Sequence, residues 1–194
     1  TNKPLQDEHA PETSLADLKV YDGLEVTLFA SEPMFSNPTN IAIDERGRVW
    51  VCEAYNYRNQ YNPKNPVKAE GDRILILEDT DGDGKADKST VFLDKLVMPR
   101  SFAFVKGGIL LQEPPKLWFC EDKDGDLRCD KRTEVGTMGV GGNPQHTANG
   151  LRRGIDNWLH NADWPKRHRW QGGKLIEEDS IQRGQFGLTF DETG

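Results

Sequence analysis

The chain has 194 residues, of which 35% are hydrophobic and 29% charged, and its formal net charge is −7. This length allows one sizeable core, which such a composition must build from short apolar segments. The acidic balance leaves no basic stripe for phosphates and so excludes a nucleic-acid partner, and no run reaches the roughly 18 apolar residues of a transmembrane segment.

The first part of the chain is predicted to pass from an arm into strands. Residues 1–16 are polar and contain two prolines, so we expect an extended N-terminal arm ahead of a folded unit at 17–194. Residues 24–30 (LEVTLFA) alternate between apolar and polar side chains, as a strand does. Residues 39–43 and 48–53 are two apolar segments joined by a polar turn, which predicts a β-hairpin.

An acidic stretch at 79–87 has the spacing of a calcium-binding loop. EF-hand-type loops bind calcium through side chains at positions 1, 3, 5 and 9 and the carbonyl at position 7, with a turn glycine at position 6. The flanking segments are β-like, and Thr90 stands where an EF-hand has a bidentate glutamate, so we predict a calcium loop between two strands. The candidate ligands are Asp79, Asp81, Asp83, Lys85 (through its carbonyl) and Asp87.

A second acidic stretch repeats this spacing in a weaker form. Leu127 holds the position of the turn glycine, and the glycine has moved to Gly125. Both stretches can also be interpreted as solvated acidic turns, because Asp and Gly favour turns for backbone reasons alone. Cys120 and Cys129 flank the second stretch, either as a disulfide, which requires an oxidising compartment, or as two reduced thiols. The candidate calcium ligands here are Asp122, Asp124, Asp126 and Asp130.

A hairpin pattern of two apolar strands around a polar or glycine turn recurs along the chain. After the hairpin at 39–53 it returns at 101–113 and 151–161, and it begins again at 186–194. The turns recur about every fifty residues, a period typical of a β-propeller blade. We therefore predict an all-β fold with about three propeller blades and the start of a fourth. A six-bladed ring would need about 300 residues at this period, and an all-β sandwich is the alternative fold.

Four segments of the chain carry a family resemblance when they are taken together. They are 23–33 (GLEVTLFASEP), 37–58 (NPTNIAIDERGRVWVCEAYNYR), 72–92 (DRILILEDTDGDGKADKSTVF) and 145–160 (QHTANGLRRGIDNWLH). In combination they resemble the membrane-bound dehydrogenase family of β-propellers, which is related to soluble sorbosone and glucose dehydrogenases that use pyrroloquinoline quinone (PQQ). The resemblance implies a six-bladed propeller, periplasmic or extracellular, that oxidises a sugar or polyol and passes electrons to a c-type cytochrome.

The resemblance also implies that His146 is a catalytic base. In the soluble quinoprotein dehydrogenases, a histidine in a similar H-x-x-x-x-L-x-x-G-x-D context removes a hydroxyl proton from the sugar while hydride passes to the quinone. His146 with Leu151, Gly154 and Asp156 matches that context. A neutral imidazole can accept a proton near neutral pH, and a carboxylate would orient it. Asp163 is the candidate orienting partner by its position along the chain.

The alternative function is non-catalytic. Asn149 stands where the soluble enzymes have glycine, and the cations that hold PQQ in those enzymes are expected in later blades. On this interpretation the chain is a calcium-stabilised propeller that docks a glycan or an electron-transfer partner. Binding of that partner would not depend on His146.

Overall fold

The computed structural model describes residues 10–16, 18–57, 68–139, 143 and 146–192. No helix in these ranges is both long and apolar enough to span a bilayer. The described part contains a short helix, α1, at Pro11–Ala16. Its strands are β1 Pro38–Ile43, β2 Val49–Glu53, β3 Asp72–Glu78, β4 Lys88–Leu96, β5 Ser101–Val105, β6 Gly108–Glu113, β7 Lys116–Glu121, β8 Lys131–Thr137, β9 Asn149–Arg153, β10 Leu159–Ala162, β11 Lys166–Gln171 and β12 Lys174–Asp179.

The strands form three four-stranded antiparallel sheets, in which neighbours in sequence are also neighbours in the sheet. The first sheet is β1–β4, the second β5–β8 and the third β9–β12. The predicted hairpins at 39–53, 101–113 and 151–161 are confirmed as the first two strands of each sheet. The fold is therefore all-β, as the short alternating apolar segments predicted.

The first strands of the three sheets lie side by side. β1 contacts β5, and β5 contacts β9. Thr39 Oγ1 donates a hydrogen bond to Pro99 O, just before β5, at 2.9 Å. Leu151 N of β9 donates to the hydroxyl oxygen of Ser101 in β5, also at 2.9 Å. Because these bonds join residues near the beginning of each strand, the three strands start at the same edge.

Apolar clusters fill the spaces between neighbouring sheets. Between the first and second sheets, the ring of Trp50 lies 5.3 Å from that of Phe104 and 6.1 Å from that of Phe102. Between the second and third sheets, Phe119 stacks on Trp170 at 4.3 Å. Alternate residues of a strand point to opposite faces, so the second sheet contributes to both clusters. Burial on two faces explains why β5, β6 and β7 are largely apolar, whereas β8 (KRTEVGT) is largely polar.

The predicted strand at 24–30 is wrong, because this segment pairs with no strand of the described residues. It lies instead against the first sheet, where it packs on buried side chains of β2 and β3. Phe29 O accepts a hydrogen bond from Ala86 N at 2.8 Å, and Phe92 O of β4 accepts the corresponding bond from Cys129 N at 2.8 Å. Segment 24–30 therefore has the same position relative to the first sheet that β4 has relative to the second sheet.

Two predictions near the ends of the chain also need correction. Residues 11–16 form α1 rather than an extended arm, because Pro11 suits the first turn of a helix; residues 1–9 lie outside the described residues. The strand expected to begin a fourth copy at 186–194 is not formed within the described residues, where 186–192 belongs to no strand. This segment still contacts β9, where Gly187 N donates to Asn149 Oδ1 at 2.7 Å.

Candidate functional site

The first acidic stretch connects β3 to β4 and gathers its carboxylates. Oxygen atoms of Asp79, Asp81 and Asp87 all lie within 4.8 Å of one another, as ligands of one cation would. Asp79 is held by backbone donors, since its two oxygens accept from Gly82 N at 2.7 Å and Gly84 N at 2.9 Å. These bonds, chiefly the one from Gly84, lower the pKa of Asp79, so its carboxylate is charged at neutral pH.

The second acidic stretch connects β7 to β8 and forms a matching cluster. Oxygen atoms of Asp122, Asp124 and Asp130 lie within 4.8 Å of one another. One aspartate of each loop lies outside its cluster: Asp83 and Asp126 each accept at Oδ1 from a backbone N–H at 2.8 Å. The structure thus brings together three of the four predicted carboxylates in each loop. The donors to the two outlying aspartates are Lys85 N and Arg128 N.

The two loops share one backbone conformation, which corrects the predicted position of the turn glycine. Gly82 and Gly125 both have a φ of 81° and occupy equivalent places, so the glycine has not moved to Gly125. Leu127 itself occupies the place of Gly84, with a φ of 67° against 85°. Its N–H donates to Asp122 at 3.0 Å, as that of Gly84 does in the first loop.

His146 and Asp163 lie together at the edge where β9 begins and β10 ends. These strands are antiparallel, so residues just before β9 and just after β10 meet there. His146 Nδ1 is 3.7 Å from Asp163 Oδ2. The Asp163 side chain is only 10% exposed and that of His146 is half exposed. The buried Oδ2 accepts no hydrogen bond from the described residues.

Two glutamines complete this cluster. Gln182 Nε2 donates to Asp163 Oδ1 at 2.7 Å, and Gln185 Nε2 lies 3.2 Å from His146 Nε2. Sequence reasoning missed both, because neither belongs to a local motif. One signal was present in the sequence. The two glutamines come just before the strand predicted at 186, as His146 comes just before β9, and equivalent positions in a repeat are expected at the same edge of the structure.

A groove of about 590 Å³ runs beside the first strands. It is lined by β1, β5 and β9 and by residues 186–188, and we call it the first-strand groove. Ile41 and Ile43, which are 64% and 66% exposed, give it an apolar part, and Arg152 and Arg153 give it positive charge. The groove therefore combines an apolar surface on β1 with two cations on β9, the strand that follows His146.

Cys120 and Cys129 lie beside each other at the second acidic loop. Both belong to the cluster between the first and second sheets, and Cys129 Sγ donates to Lys131 O at 3.4 Å. The neighbouring Cys129 side chain and burial raise the pKa of the Cys120 thiol, whereas the Cys120 side chain lowers the pKa of Cys129. Both cysteines are free thiols in the structure.

The chain matches one family model over residues 10–194, that of the domain of unknown function DUF7133. Neither a curated protein nor a solved structure matches it. The family match covers all three sheets, both acidic loops and the His146–Asp163 pair. The chain therefore belongs to the DUF7133 family.

Proposed function

We propose that the chain is part of a quinoprotein-like dehydrogenase in which His146 accepts the proton of a substrate hydroxyl. The observation that carries the proposal is the buried Asp163 Oδ2, which faces His146 Nδ1 at 3.7 Å and accepts no hydrogen bond from the described residues. Burying a carboxylate oxygen is costly unless a donor or a positive charge lies beside it. Protonation of His146 provides that charge, so the pair suits an imidazolium.

The proposed architecture is a β-propeller in which the three sheets are blades. Each sheet is a four-stranded antiparallel meander, the first strands lie side by side, and apolar clusters fill the spaces between sheets. These are features of propeller blades around a central channel. The first-strand groove would then face the channel.

In the proposed reaction a sugar or polyol loses a proton and a hydride and becomes a carbonyl compound. The hydroxyl proton passes to His146 Nε2, and the hydrogen on the adjoining carbon leaves as hydride. PQQ, when bound, supplies the two-electron acceptor for that hydride. Asp163 stabilises the His146 imidazolium by accepting a hydrogen bond from His146 Nδ1–H, and so keeps the ring oriented. In the exported protein, a c-type cytochrome would then receive the electrons.

We propose that the first-strand groove contributes to the site of PQQ, a planar tricarboxylate, together with the cations expected in later blades. Arg152 and Arg153 would pair with its carboxylates, because guanidinium groups bind carboxylates with two parallel hydrogen bonds. Arg153 already donates to Phe104 O at 3.1 Å, which fixes the direction of its side chain. Ile41 and Ile43 would contact the aromatic face.

We further propose that both acidic loops bind calcium. Three carboxylates within 4.8 Å repel one another unless a cation lies among them, and calcium prefers such oxygen ligands. The loops connect the third and fourth strands of the first and second sheets, so bound ions would rigidify both sheets. Calcium has a stabilising role in this proposal and takes no part in hydride transfer.

The proposal is tested with full-length protein loaded with PQQ and calcium. We expect dye-linked oxidation of an aldose, with kcat at least about 100-fold lower in His146→Ala, because a positioned base contributes about that much. Asp163→Asn should lower kcat as well, since the neutral amide cannot stabilise the imidazolium. Arg46→Ala, an exposed residue of the β1–β2 turn, is the control and should be unaffected. A complete chain that binds no PQQ would refute the enzymatic proposal.

A second candidate function is a non-catalytic module that docks a glycan or an electron-transfer partner. The observation that favours it is the Gln185 amide, which already lies at hydrogen-bond distance from His146 Nε2. This candidate predicts that Arg152→Ala weakens partner binding at the first-strand groove. His146→Ala would leave the same binding unchanged, which distinguishes a docking module from the dehydrogenase.

A further inference from the structure

The position of the Gln185 amide determines where the proton of His146 lies. An amide nitrogen donates hydrogen bonds and does not accept them, so His146 Nε2, at 3.2 Å, must be the acceptor. In a neutral imidazole the proton is then on Nδ1. That nitrogen faces Asp163 Oδ2, whose buried lone pairs accept no hydrogen bond from the described residues. The contacts on both sides of the ring thus favour the same tautomer.

Gln185 is held in place through its backbone, whereas its side chain can move. Gln185 O accepts from Asn149 Nδ2 at 3.0 Å, and Gly187 N donates to Asn149 Oδ1 at 2.7 Å. Asn149 is fully buried, so this anchor is rigid. Gln185 itself is exposed, and a rotation of its side chain removes the amide from His146 without moving the backbone.

A second anchor holds the same segment at Asp163. Asp163 N donates to Arg183 O at 2.9 Å, and Gln182 Nε2 donates to Asp163 Oδ1 at 2.7 Å. Gln182 thereby occupies one carboxylate oxygen and leaves the other to His146. Segment 182–187 is fixed across the start of β9 and the end of β10, with one glutamine on each member of the His146–Asp163 pair.

We infer that Gln185 is an internal ligand of His146, which a substrate hydroxyl must displace before its proton can be removed. The amide N–H and a substrate O–H donate to the same Nε2 lone pair, so they compete. Displacement of the amide by a substrate hydroxyl rests on the proposed function, whereas the contact between Gln185 and His146 does not. The occupant that replaces the amide in the proposed reaction is a hydroxyl group of a polyhydroxy compound, because a hydroxyl can donate to this lone pair and then lose its proton to Nε2.

The capping contact can be tested without substrate by the reactivity of His146 towards diethylpyrocarbonate, which acylates an unprotonated imidazole nitrogen. Peptide mass mapping measures the rate at which His146 is modified. We expect this rate to be about three- to tenfold higher in Gln185→Ala than in wild type, because the variant lacks one hydrogen bond to Nε2. Gln171→Ala is the matched control: it removes an exposed glutamine that lies outside this cluster and leaves Nε2 capped, so the rate should stay unchanged. Nitrogen-15 NMR of wild type should show the Nδ1–H tautomer. Equal rates in Gln185→Ala and wild type, or an Nε2–H tautomer, would overturn the inference.

Kinetics then separate this inference from the proposed function. In the PQQ-loaded full-length protein, Gln185→Ala should lower KM about three- to tenfold and leave kcat unchanged, since the substrate no longer competes with the amide. A raised KM would mean that Gln185 holds the substrate, and would overturn the inference while the dehydrogenase stands. If the protein oxidises nothing but the modification rate rises in Gln185→Ala, the cap stands and the dehydrogenase is refuted.

Discussion

Leu127 shows how packing can offset an unfavourable backbone conformation. Its φ of 67° lies in the left-handed region, which costs a non-glycine residue about 1 kcal/mol or more. Its side chain packs, partly buried, on the cluster between the first and second sheets. The equivalent Gly84 has no atom within 4 Å of where a Cβ would be, so a side chain would gain no contact there. The same turn therefore uses leucine where packing is available and glycine where it is not.

At position 127 we expect glycine to give a more stable protein than alanine, whereas at most positions alanine is the more stabilising of the two. Leu127→Ala loses the packing and keeps the strained φ, whereas Leu127→Gly loses the packing and releases the strain. We expect Leu127→Gly to have the higher free energy of unfolding by about 1 kcal/mol, measured by urea denaturation. At Ala86, where φ is not positive, glycine should instead destabilise by about 0.5–1 kcal/mol. Leu127→Ala proving at least as stable as Leu127→Gly would contradict the strain argument.

The acidic loops are elements that join neighbouring parts of the fold as well as candidate ion sites. Ala86, beside the first cluster, donates its N–H to Phe29 O, and Cys129, beside the second, donates to Phe92 O. An ion that orders a loop would therefore also hold the segment that packs against it. Calcium binding at these loops should stabilise contacts between sheets, beyond the loops themselves.

Calcium should raise the unfolding midpoint of the protein relative to protein treated with a chelator. A ligand that binds only the folded state adds about 2.7 kcal/mol per site at one hundred times its Kd. The double variant Asp81→Asn and Asp124→Asn, which removes one carboxylate from each cluster, should lose most of this response in thermal unfolding. Asp94→Asn, which removes one carboxylate from an exposed position of β4, should retain this response. A calcium response of equal size in both variants would mean that the loops are acidic turns without an ion.

What the sequence could predict at this scale follows from the range of the interactions involved. The hairpins and the acidic loops depend on residues close in sequence, and local alternation and turn chemistry predicted them. The segment 24–30 alternates like a strand but lacks a partner, which only the three-dimensional arrangement shows. Gln185 reaches His146 from far along the chain, so no local pattern could connect them. Asp163 was predicted from its position along the chain, once a family resemblance had singled out His146.

Across the whole molecule, the contact between the second and third sheets contains an ionisable residue without a hydrogen-bond partner. His168 on β11 is 2% exposed, and neither ring nitrogen has a hydrogen-bond partner among the described residues. Burial lowers the pKa of His168 to about 4, and the charge of Lys166 adds to the effect. Glu177 Oε2 lies 3.7 Å from Nδ1, too far for a hydrogen bond, and Lys166 also lies near Glu177. His168 is therefore neutral in the folded protein at neutral pH.

The cooperative stability of the molecule should therefore fall on mild acidification. Unfolded chain binds a proton at His168 below about pH 6.5, whereas folded protein does so only near pH 4, so acid favours the unfolded state between these values. We expect the His168 contribution to be complete above pH 6.5 and to decrease by up to about 3 kcal/mol as the pH falls to 4. The measurement is the difference in unfolding free energy between wild type and His168→Phe, which fills the apolar space and cannot titrate; taking the difference cancels the carboxylates common to both. A difference that stays constant from pH 7 to 4.5 would show that His168 is accessible to protons in the folded state, and hence that the second and third sheets do not form a closed contact.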